Sequence, residues 1–279
     1  MDHAPDRHPE LLSCRGCGHR VYRGAETVDS AALYGHDYHE REEYLDYAGQ
    51  RATLSRNFRD YLDRMAHYGA TGTSLLEVGC AYGFFLAEAS ARFARVHGLD
   101  VSASAVAAAR EHLGVSAEAV DVCEHRPPAP YDVVCLWDTV EHLRDPRQAL
   151  GCASRLLRPG GHLFLTTGDA GSLVARVRGP RWRLIHPPTH VHYFTRAGVR
   201  RLLGSLGLET LCIESWAGRR QIGNVLHNLD HFGRLAPLRA AARGLLHRAP
   251  DWVLRRDVRI GLGDVMFVAA RRTAESEAA

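Results

Sequence analysis

The stretch SLLEVGCAYGFFLA, residues 74–87, decides the fold class of this protein. It begins as a short apolar run, passes through Gly79 and Gly83, and continues as a helical pattern. A glycine turn between a first strand and a first helix is typical of folds that bind a nucleotide through the backbone. The dinucleotide fingerprint G-x-G-x-x-G requires glycine at two positions where this sequence has Ala81 and Phe84. These two side chains argue against NAD or FAD.

Short apolar runs alternate with helical stretches on the C-terminal side of this turn. The apolar runs are 74–78, 96–100, 131–137 and 162–167, and the helical stretches between them are 84–92, 102–113 and 146–157. A further helix over 195–206 and two strands, 209–216 and 264–270, follow. Apolar strands separated by helices predict an α/β fold in which a parallel sheet is covered on both faces.

The chain divides into five segments by composition and pattern. We predict a segment rich in Cys, His and Tyr (1–45), a core with an N-terminal helix (46–216), a helical insertion (217–262), a last core strand (263–272) and a tail (273–279). The insertion is rich in arginine, which indicates either a surface for anions or a solvated helix face. We favour the solvated face because leucines interleave with the arginines at helical spacing.

Composition excludes several classes of function. The net charge of +3 is too small to indicate nucleic acid by itself. The absence of lysine excludes lysine Schiff bases and Walker-type phosphate loops. A polar start and the lack of an apolar run of about 18 residues predict neither a signal peptide nor a membrane span. Seven dispersed cysteines indicate reduced thiols and a cytoplasmic protein.

An acidic residue ends each of the two predicted strands that follow the glycine turn. Asp100 ends the second strand, where a carboxylate accepts hydrogen bonds from ribose hydroxyls. Asp121 ends the third strand and is placed to meet an adenine amino group, with the Val122 backbone beside it. Each acid alone is also explained as a helix N-cap. Together with Glu77 they favour S-adenosylmethionine (SAM), which carries no pyrophosphate and tolerates a side chain within the turn.

Four motifs in order carry a resemblance to a known family: LLEVGCAYG (75–83), GLDVS (98–102), YDVVCLWDTVEHLRDP (131–146) and LLRPGGHLFLTT (156–167). Over about 74–216 the chain resembles the class I SAM-dependent methyltransferases, and more narrowly the small-molecule branch with ubiquinone-biosynthesis-like O-methyltransferases. The resemblance implies a Rossmann-like sheet of seven mostly parallel strands, with the last strand antiparallel. It also implies a set of SAM-binding residues: Glu77, Gly79, Cys80, Gly83, Asp100, Val101, Asp121, Val122 and Trp137.

Histidines that follow the strands are the candidates for a general base. Methyl transfer from a sulfonium is an in-line displacement, so the protein mainly aligns the reactants, and a base assists a hydroxyl acceptor. The candidates are His142, after the fourth strand, and His186, His190 and His192, before the next helix. If the segment HVHYF is extended, His190 and His192 point the same way, and we prefer His192. The alternative is that this turn only caps the next helix, with Thr195 as its N-cap. A histidine base predicts an ionisation near pH 6–7.

Two groups of residues are candidates for metal binding. Cys14 and Cys17 match half of a zinc knuckle, which His36 and His39 would complete. Some ubiquinone-type relatives hold a divalent cation with an acidic-x-x-Glu-His cluster, which Asp138, Glu141 and His142 match; a packing role for Glu141 is the alternative. The resemblance further implies that a tyrosine-rich stretch, with Tyr34 and Tyr38, folds over the cofactor.

Three functions compete for this sequence. The first is SAM-dependent methylation of a small molecule, with oxygen favoured over carbon or nitrogen. The second is RNA methylation, which the C-x-x-C start and the arginine-rich insertion support. The ending LWDTVEH of the fourth strand and the low net charge count against RNA. The third is a SAM-binding protein without catalysis. We expect a small-molecule acceptor as the partner, no membrane, and allow for a homodimer.

Overall fold

The computed structural model describes residues 3–28, 51–70, 72–232 and 236–274. The strands in this part of the chain are β1 (His3–Pro5), β2 (Leu11–Cys14), β3 (Arg20–Tyr22), β4 (Ser74–Val78), β5 (Arg95–Asp100), β6 (Ala117–Ala119), β7 (Tyr131–Trp137), β8 (Leu157–Gly168), β9 (His192–Tyr193), β10 (Leu208–Ser215), β11 (Gly218–Gln221), β12 (Asp257–Ile260) and β13 (Val265–Arg272). The helices are α1 (Arg51–His67), α2 (Phe84–Ala89), α3 (Ala103–Leu113), α4 (Pro146–Leu156), α5 (Leu173–Arg178), α6 (Arg196–Gly204), α7 (Ile222–Phe232), α8 (Ala236–Arg248) and α9 (Asp251–Leu254).

A seven-stranded sheet forms the centre of the molecule. Its strand order is β10-β13-β8-β7-β4-β5-β6. The five strands from β8 to β6 are parallel to one another, whereas β13 runs antiparallel to both β8 and β10. The predicted Rossmann-like sheet with an antiparallel last strand is therefore confirmed. Because β4 lies between β5 and β7, the turn after β4 is flanked by the ends of both neighbours.

The sheet is buried on both faces, which explains its uninterrupted apolar strands. The consecutive residues Leu75 and Leu76 are both fully buried, but they enter two different core clusters. Leu76 joins the cluster that includes residues of α4 and α6. Leu75 joins an aromatic cluster with residues of α1 and α2. Alternate side chains of each strand thus supply the two halves of the core.

Side-chain caps fix where several helices begin. Ser102, Asp145 and Thr195 each accept a hydrogen bond from the backbone N–H three residues further on, at 3.3, 2.9 and 3.0 Å. These bonds satisfy donors that the first helical turn leaves without partners. The expectation that Thr195 caps the following helix is confirmed.

The N-terminal segment forms a small sheet with the strand that precedes α6. The order of this sheet is β1-β2-β3-β9, and its strands are antiparallel. Val21 of β3 pairs with His192 of β9. The cysteine-rich start is therefore joined to the same chain segment that carries the candidate histidines.

The insertion differs from the expected helical segment. It begins with β11 and ends with β12, which pair antiparallel, and α7, α8 and α9 lie between them. The strand β11 packs on α1, where Asn57 and the Arg219 backbone exchange hydrogen bonds of 2.6 and 3.1 Å. Several of the insertion's arginines pair with acids of the protein itself, including Arg243 with Asp230 at 3.0 Å.

One pair of cysteines differs from the expectation of reduced thiols. Cys123, after β6, and Cys152, on α4, form a disulfide, so the prediction that all thiols are reduced is wrong for these two. They lie 29 residues apart, and only the packing of α4 beside this loop brings the two sulfurs together. The other five cysteines are free thiols. No helix in the described ranges is long and apolar enough to cross a membrane.

Candidate active site

The turn after β4 has an unusual backbone. Gly79, Ala81 and Gly83 have φ angles of +80°, +45° and +73°, in the left-handed region. A Cβ on Gly79 would lie 2.5 Å from the Thr139 side chain, so only glycine fits there. The left-handed conformation of Ala81 costs about 1–2 kcal/mol, because its Cβ is crowded there. The other described non-glycine residue with positive φ is Asp138, after the neighbouring strand β7. Such strain is typical of functional sites.

Asp100 is held in place by this turn. One carboxylate oxygen accepts a hydrogen bond from the Ala81 N–H at 2.8 Å, and the other accepts one from the Ser102 N–H at 2.9 Å. The N-cap of α3 is Ser102, so the alternative role of Asp100 as that cap is not the one observed. Each oxygen keeps a second lone pair for a ligand, which is what binding of ribose hydroxyls requires.

Glu77 lies beneath the turn with an unsatisfied carboxylate. Its side chain is 3% exposed, and Oε2 has no hydrogen-bond partner among the described residues. Burial, assisted by the negative charge of Asp100, raises the pKa of Glu77 well above its ordinary value. A buried acceptor without a donor costs about 1–3 kcal/mol. A ligand that brings a donor or a positive charge to this point would recover that cost.

The part of the site predicted to hold adenine has one apolar and one acidic side chain. Val101 is 48% exposed beside Asp100, and therefore offers a flat apolar contact. Asp121 is exposed, and its Oδ1 accepts the Cys123 N–H at 2.8 Å, which fixes the carboxylate above the end of β6. The Val122 side chain is buried in the core, so only its backbone is available to a ligand.

Two other predicted cofactor residues turn their side chains into the core. Cys80 is 4% exposed and packs with Leu86 against β5. Trp137 stacks on Tyr61 of α1, with ring centroids 4.4 Å apart. The Trp137 indole Nε1 has no partner among the described residues. Contact between a ligand and Cys80 is thus limited to the backbone, which lies in the turn.

The segment after β7 (138–142) forms a second wall of the candidate site, beside the turn after β4. Its Thr139 side chain lies against Gly79. Asp138 accepts the Thr166 hydroxyl at 2.9 Å, and its own N–H donates to the same Thr166 oxygen at 3.0 Å. Glu141 is 5% exposed, and its Oε2 lacks a partner among the described residues. Burial and the charge of Asp138 raise the pKa of Glu141 to about 8. Two under-satisfied buried carboxylates, Glu77 and Glu141, therefore lie at the ends of neighbouring strands.

His142 and His190 meet beside Glu141. Their ring centroids are 4.6 Å apart with the planes perpendicular. The Nδ1 of His142 donates to the Thr189 carbonyl at 3.0 Å, and the Nδ1 of His190 donates to the Leu184 carbonyl at 2.9 Å. Burial lowers the pKa of His142 to about 4 and that of His190 to about 3. Both rings are thus neutral at physiological pH, with the lone pair on Nε2.

One candidate ligand atom from each of Glu141, His142 and His190 lies within 4.8 Å of the others. The sequence pattern for a divalent cation named Asp138 instead of His190. Asp138 is not a member of this group, and His190 joins it because the loop before β9 folds back over β7. Oxygen and imidazole nitrogen together suit a divalent transition metal.

His192 faces a different environment. Its Nδ1 lies 3.1 Å from His19 Nε2, and its Nε2 donates to the Arg144 carbonyl at 3.3 Å. The expectation that His190 and His192 point the same way is wrong, because residues 187–189 form a turn and only 192–193 are extended. His142 and His190 therefore lie together, whereas His192 lies against His19. The pKa values of His142 and His190, about 4 and about 3, lie below the pH 6–7 expected for the ionisation of a histidine base.

Comparison with known proteins agrees with this geometry. A family model described as a methyltransferase domain matches residues 47–213, more than half of the chain. The chain belongs to this methyltransferase family. Two relatives are both named ubiquinone biosynthesis O-methyltransferase. The one from Thiobacillus denitrificans is 34% identical, over 50% of this chain and 66% of its own length. The one from Aromatoleum aromaticum is 30% identical, over 54% and 69%.

The match spans about two thirds of those relatives' own length. Solved structures resemble this methyltransferase-family chain in fold. Magnesium protoporphyrin IX methyltransferase from Synechocystis, with bound SAM, superposes with a TM-score of 0.52 over 88% of this chain and 98% of its own, at 12% identity. A SAM-dependent methyltransferase from Thermotoga maritima gives 0.51 over 83% and 95%, at 15% identity.

Arg220 is a cation near the site that the sequence analysis did not single out. Its side chain is exposed on β11, at the start of the insertion, within range of the charges of Arg183 and Asp138. The insertion of this methyltransferase therefore brings a cation close to the wall formed after β7. No motif marks Arg220, because its position depends on the packing of β11 against α1.

Cys14 and Cys17 lie in a tight turn beside the start of α6. The Gly18 N–H donates to the Cys14 carbonyl at 2.9 Å, and the Cys17 carbonyl accepts the Thr195 hydroxyl at 2.6 Å. Among the described residues, no third ligand joins these two thiols in a group able to hold a metal. The expected partners His36 and His39 lie outside the described residues, as do Tyr34 and Tyr38.

Proposed function

We propose that this protein transfers a methyl group from SAM to a hydroxyl of a small-molecule acceptor. The observation that carries the proposal is the pair of carboxylates at the turn after β4. Glu77 is buried with an unsatisfied oxygen, and Asp100 stands beside it, fixed by two backbone N–H groups. SAM offers an ammonium, a sulfonium and two ribose hydroxyls, which match these charges and acceptors.

The turn itself disfavours dinucleotides. The methyl group of Ala81 and the side chain of Phe84 occupy the positions where the fingerprint requires glycine. Val101 and Asp121 would contact adenine, and the backbone of Gly79 to Gly83 would hold the amino-acid part. When bound, SAM supplies an activated methyl group, so the protein has to align the acceptor and exclude water.

Support for a hydroxyl acceptor comes from the relatives, which are named O-methyltransferases. The wall after β7 has suitable chemistry for such an acceptor. His142 is neutral at physiological pH and carries its lone pair on Nε2, so it would accept the hydroxyl proton. His190 lies against it and would share that role.

A divalent cation held by Glu141, His142 and His190 is a second way to activate the hydroxyl. A cation lowers the pKa of a bound hydroxyl and would neutralise the buried Glu141. Zinc at Cys14 and Cys17 stays a separate proposal for the N-terminal sheet. We keep a cytoplasmic location as a proposal, since five thiols are free.

The competing functions have less support. RNA binding would need unpaired arginines, yet Arg219, Arg243 and Arg259 of the insertion pair with acids of the protein. A SAM-binding protein without catalysis would have no use for neutral histidines beside Glu141, a carboxyl group whose pKa is raised. Turnover with any hydroxyl acceptor separates this last alternative from the proposed enzyme.

Calorimetric titration with SAM, with its demethylated product and with NAD tests the proposal. We expect binding of the first two and none of NAD. Asp100→Ala removes charge-assisted acceptors worth about 1.5–3 kcal/mol each, so SAM affinity should fall at least tenfold. Asp63→Ala, an exposed acid on α1, is the matched control and should bind normally. Binding of NAD, or normal SAM binding by Asp100→Ala, would refute the proposal.

A further inference from the structure

A second cluster of metal-ligating side chains lies at the edge of the sheet, apart from the candidate active site. His97 is on β5, Glu118 is on the edge strand β6, and His125 is in the loop that follows β6. The two imidazole rings stack, with centroids 5.2 Å apart and planes 18° from parallel. One ligand atom from each of the three residues lies within 4.8 Å of the others.

Each histidine is oriented by a hydroxyl on its far side. His97 Nδ1 bonds the Ser116 hydroxyl at 2.8 Å, and His125 Nε2 bonds the Tyr131 hydroxyl at 3.1 Å. The remaining nitrogens, His97 Nε2 and His125 Nδ1, therefore face Glu118. Ligand histidines in metal sites are arranged in this way, with one nitrogen bound to an outer partner and the other directed to the ion.

The spacing of the three ligand atoms fits a small ion. Glu118 Oε2 lies 3.8 Å from His97 Nε2 and 3.1 Å from His125 Nδ1. A tetrahedral ion with bonds of about 2.1 Å holds its ligand atoms about 3.4 Å apart, between these two values. The cluster is thus nearly preorganised, and small side-chain rotations complete it.

We propose that His97, Glu118 and His125 bind a zinc ion. Two imidazole nitrogens and one carboxylate oxygen are ligands that zinc accepts, and softer or harder ions prefer thiolates or all-oxygen sites. Glu118 is 49% exposed, so water reaches the fourth position.

The ion would tie a loop to the sheet edge. β6 has only three residues and pairs with β5 alone, and the loop after it is tied to α4, on another side, by the disulfide between Cys123 and Cys152. The loop with His125 starts at Asp121, whose carbonyl accepts the His125 N–H at 3.2 Å. Zinc would hold this turn against β5 and β6, and so stabilise the folded chain by binding only the native state.

Zinc titration of the full chain, tag-free and stripped with a chelator, tests the inference. Calorimetry gives the stoichiometry, cobalt absorption reports the ligand geometry, and thermal unfolding gives the shift in Tm. Because Cys14 and Glu141 mark other candidate sites, the measurements are made in a Cys14→Ser, His142→Ala, His190→Ala background. We expect one zinc per chain and a rise in Tm with zinc.

Variants of the cluster decide the outcome. Glu118→Gln, at a half-exposed position that tolerates the change, and His97→Ala should each lower zinc affinity more than tenfold and abolish the Tm rise. Ser116→Ala removes only the outer partner of His97 and should weaken binding about 10- to 100-fold. His112→Ala, on the exposed face of α3, should bind zinc normally. No zinc bound in the background chain, or unchanged binding by Glu118→Gln and His97→Ala, would overturn the inference.

Discussion

Burial of the Glu77 carboxylate lowers the stability of the ligand-free protein, and a bound ligand would offset this loss. A buried carboxylate is tolerated when it is paired, yet one of its oxygens has no donor among the described residues. The raised pKa of Glu77 means that the folded protein disfavours its charged form. Above the unfolded pKa of about 4.3, this group therefore lowers the stability of the ligand-free protein, and the loss grows with pH.

Glu77→Gln should separate stability from binding. Without SAM, we expect the variant to be as stable as the parent or more stable at pH 7–8, with the difference vanishing toward pH 4. SAM affinity should fall at least tenfold, because the charge that faces the ligand is lost. Thermal unfolding across pH and calorimetry measure the two effects. Glu209→Gln, an exposed acid on β10, is the control. A less stable variant that binds SAM normally would contradict this view.

The histidines should divide by role. His142→Ala should lower turnover about 100-fold, at the low end for a general base, since an imidazole with a pKa of about 4 is a weak base. His192→Ala should lower Tm through the N-terminal sheet and leave turnover per folded molecule nearly unchanged. The rate of the parent should show no histidine step between pH 5 and 7. Kinetics across pH check this, and a step near pH 6.5 lost in His192→Ala would restore His192 as the base.

At the scale of elements, α1 is the anchor of the insertion. Asp60 of α1 accepts two hydrogen bonds from Arg219, at 2.9 and 3.2 Å, and one from Arg259 at 2.6 Å. These arginines lie on β11 and β12, so one carboxylate holds both strands of the pair. Exposed ion pairs contribute little, but a shared and partly buried carboxylate contributes more. The position of Arg220, near the wall formed after β7, depends on this anchor.

Asp60→Asn should loosen the insertion. We expect a loss of about 1–2 kcal/mol, or a fall in Tm of about 2–8 °C for a chain of this size. Trypsin should cleave within 217–262 faster than in the parent, because this segment is rich in arginine. Asp63→Asn, three residues further along α1, should change neither property. Equal cleavage rates for Asp60→Asn and the parent would show that α1 does not hold the insertion.

At the scale of the whole molecule, Asp132 connects the amino ends of three strands. It accepts the Ser74 and Thr73 N–H groups, both at 2.9 Å, and Arg158 at 2.6 Å. Burial alone would raise the pKa of Asp132, but the hydrogen bonds from Arg158, Ser74 and Thr73 outweigh it and lower the pKa well below the usual range. A lowered pKa stabilises the fold above the unfolded value of about 3.9, and this stability is lost as pH falls further.

Asp132→Asn should therefore reduce stability most near neutral pH. We expect a loss of about 2–3 kcal/mol at pH 7, which shrinks below pH 4 as the carboxylate becomes protonated in the unfolded state of the parent. Thermal unfolding from pH 7 to pH 2 measures this. Asp251→Asn, exposed at the start of α9, is the control. A deficit that stays constant down to pH 2 would show that the charge of Asp132 is not what stabilises the strands.

Local sequence patterns account for the central sheet and the cofactor turn. Apolar periodicity predicts strands and helices, and short-range patterns predict the turn at Gly79–Gly83, Asp100 at the end of β5 and the cap at Thr195. These features depend on residues close together in the chain, or on the fixed order of parallel strands. Their positions therefore follow from the amino-acid sequence without knowledge of the packing.

Which side chains meet, by contrast, depends on packing between distant segments. His190 meets His142, His192 meets His19, and Arg220 comes near Asp138 because a loop, a small sheet and an insertion fold back over the central sheet. The disulfide between Cys123 and Cys152 and the cluster of His97, Glu118 and His125 arise in the same way. Local sequence patterns do not predict such contacts, because each residue is compatible with its own helix, strand or loop whether or not its partner is present.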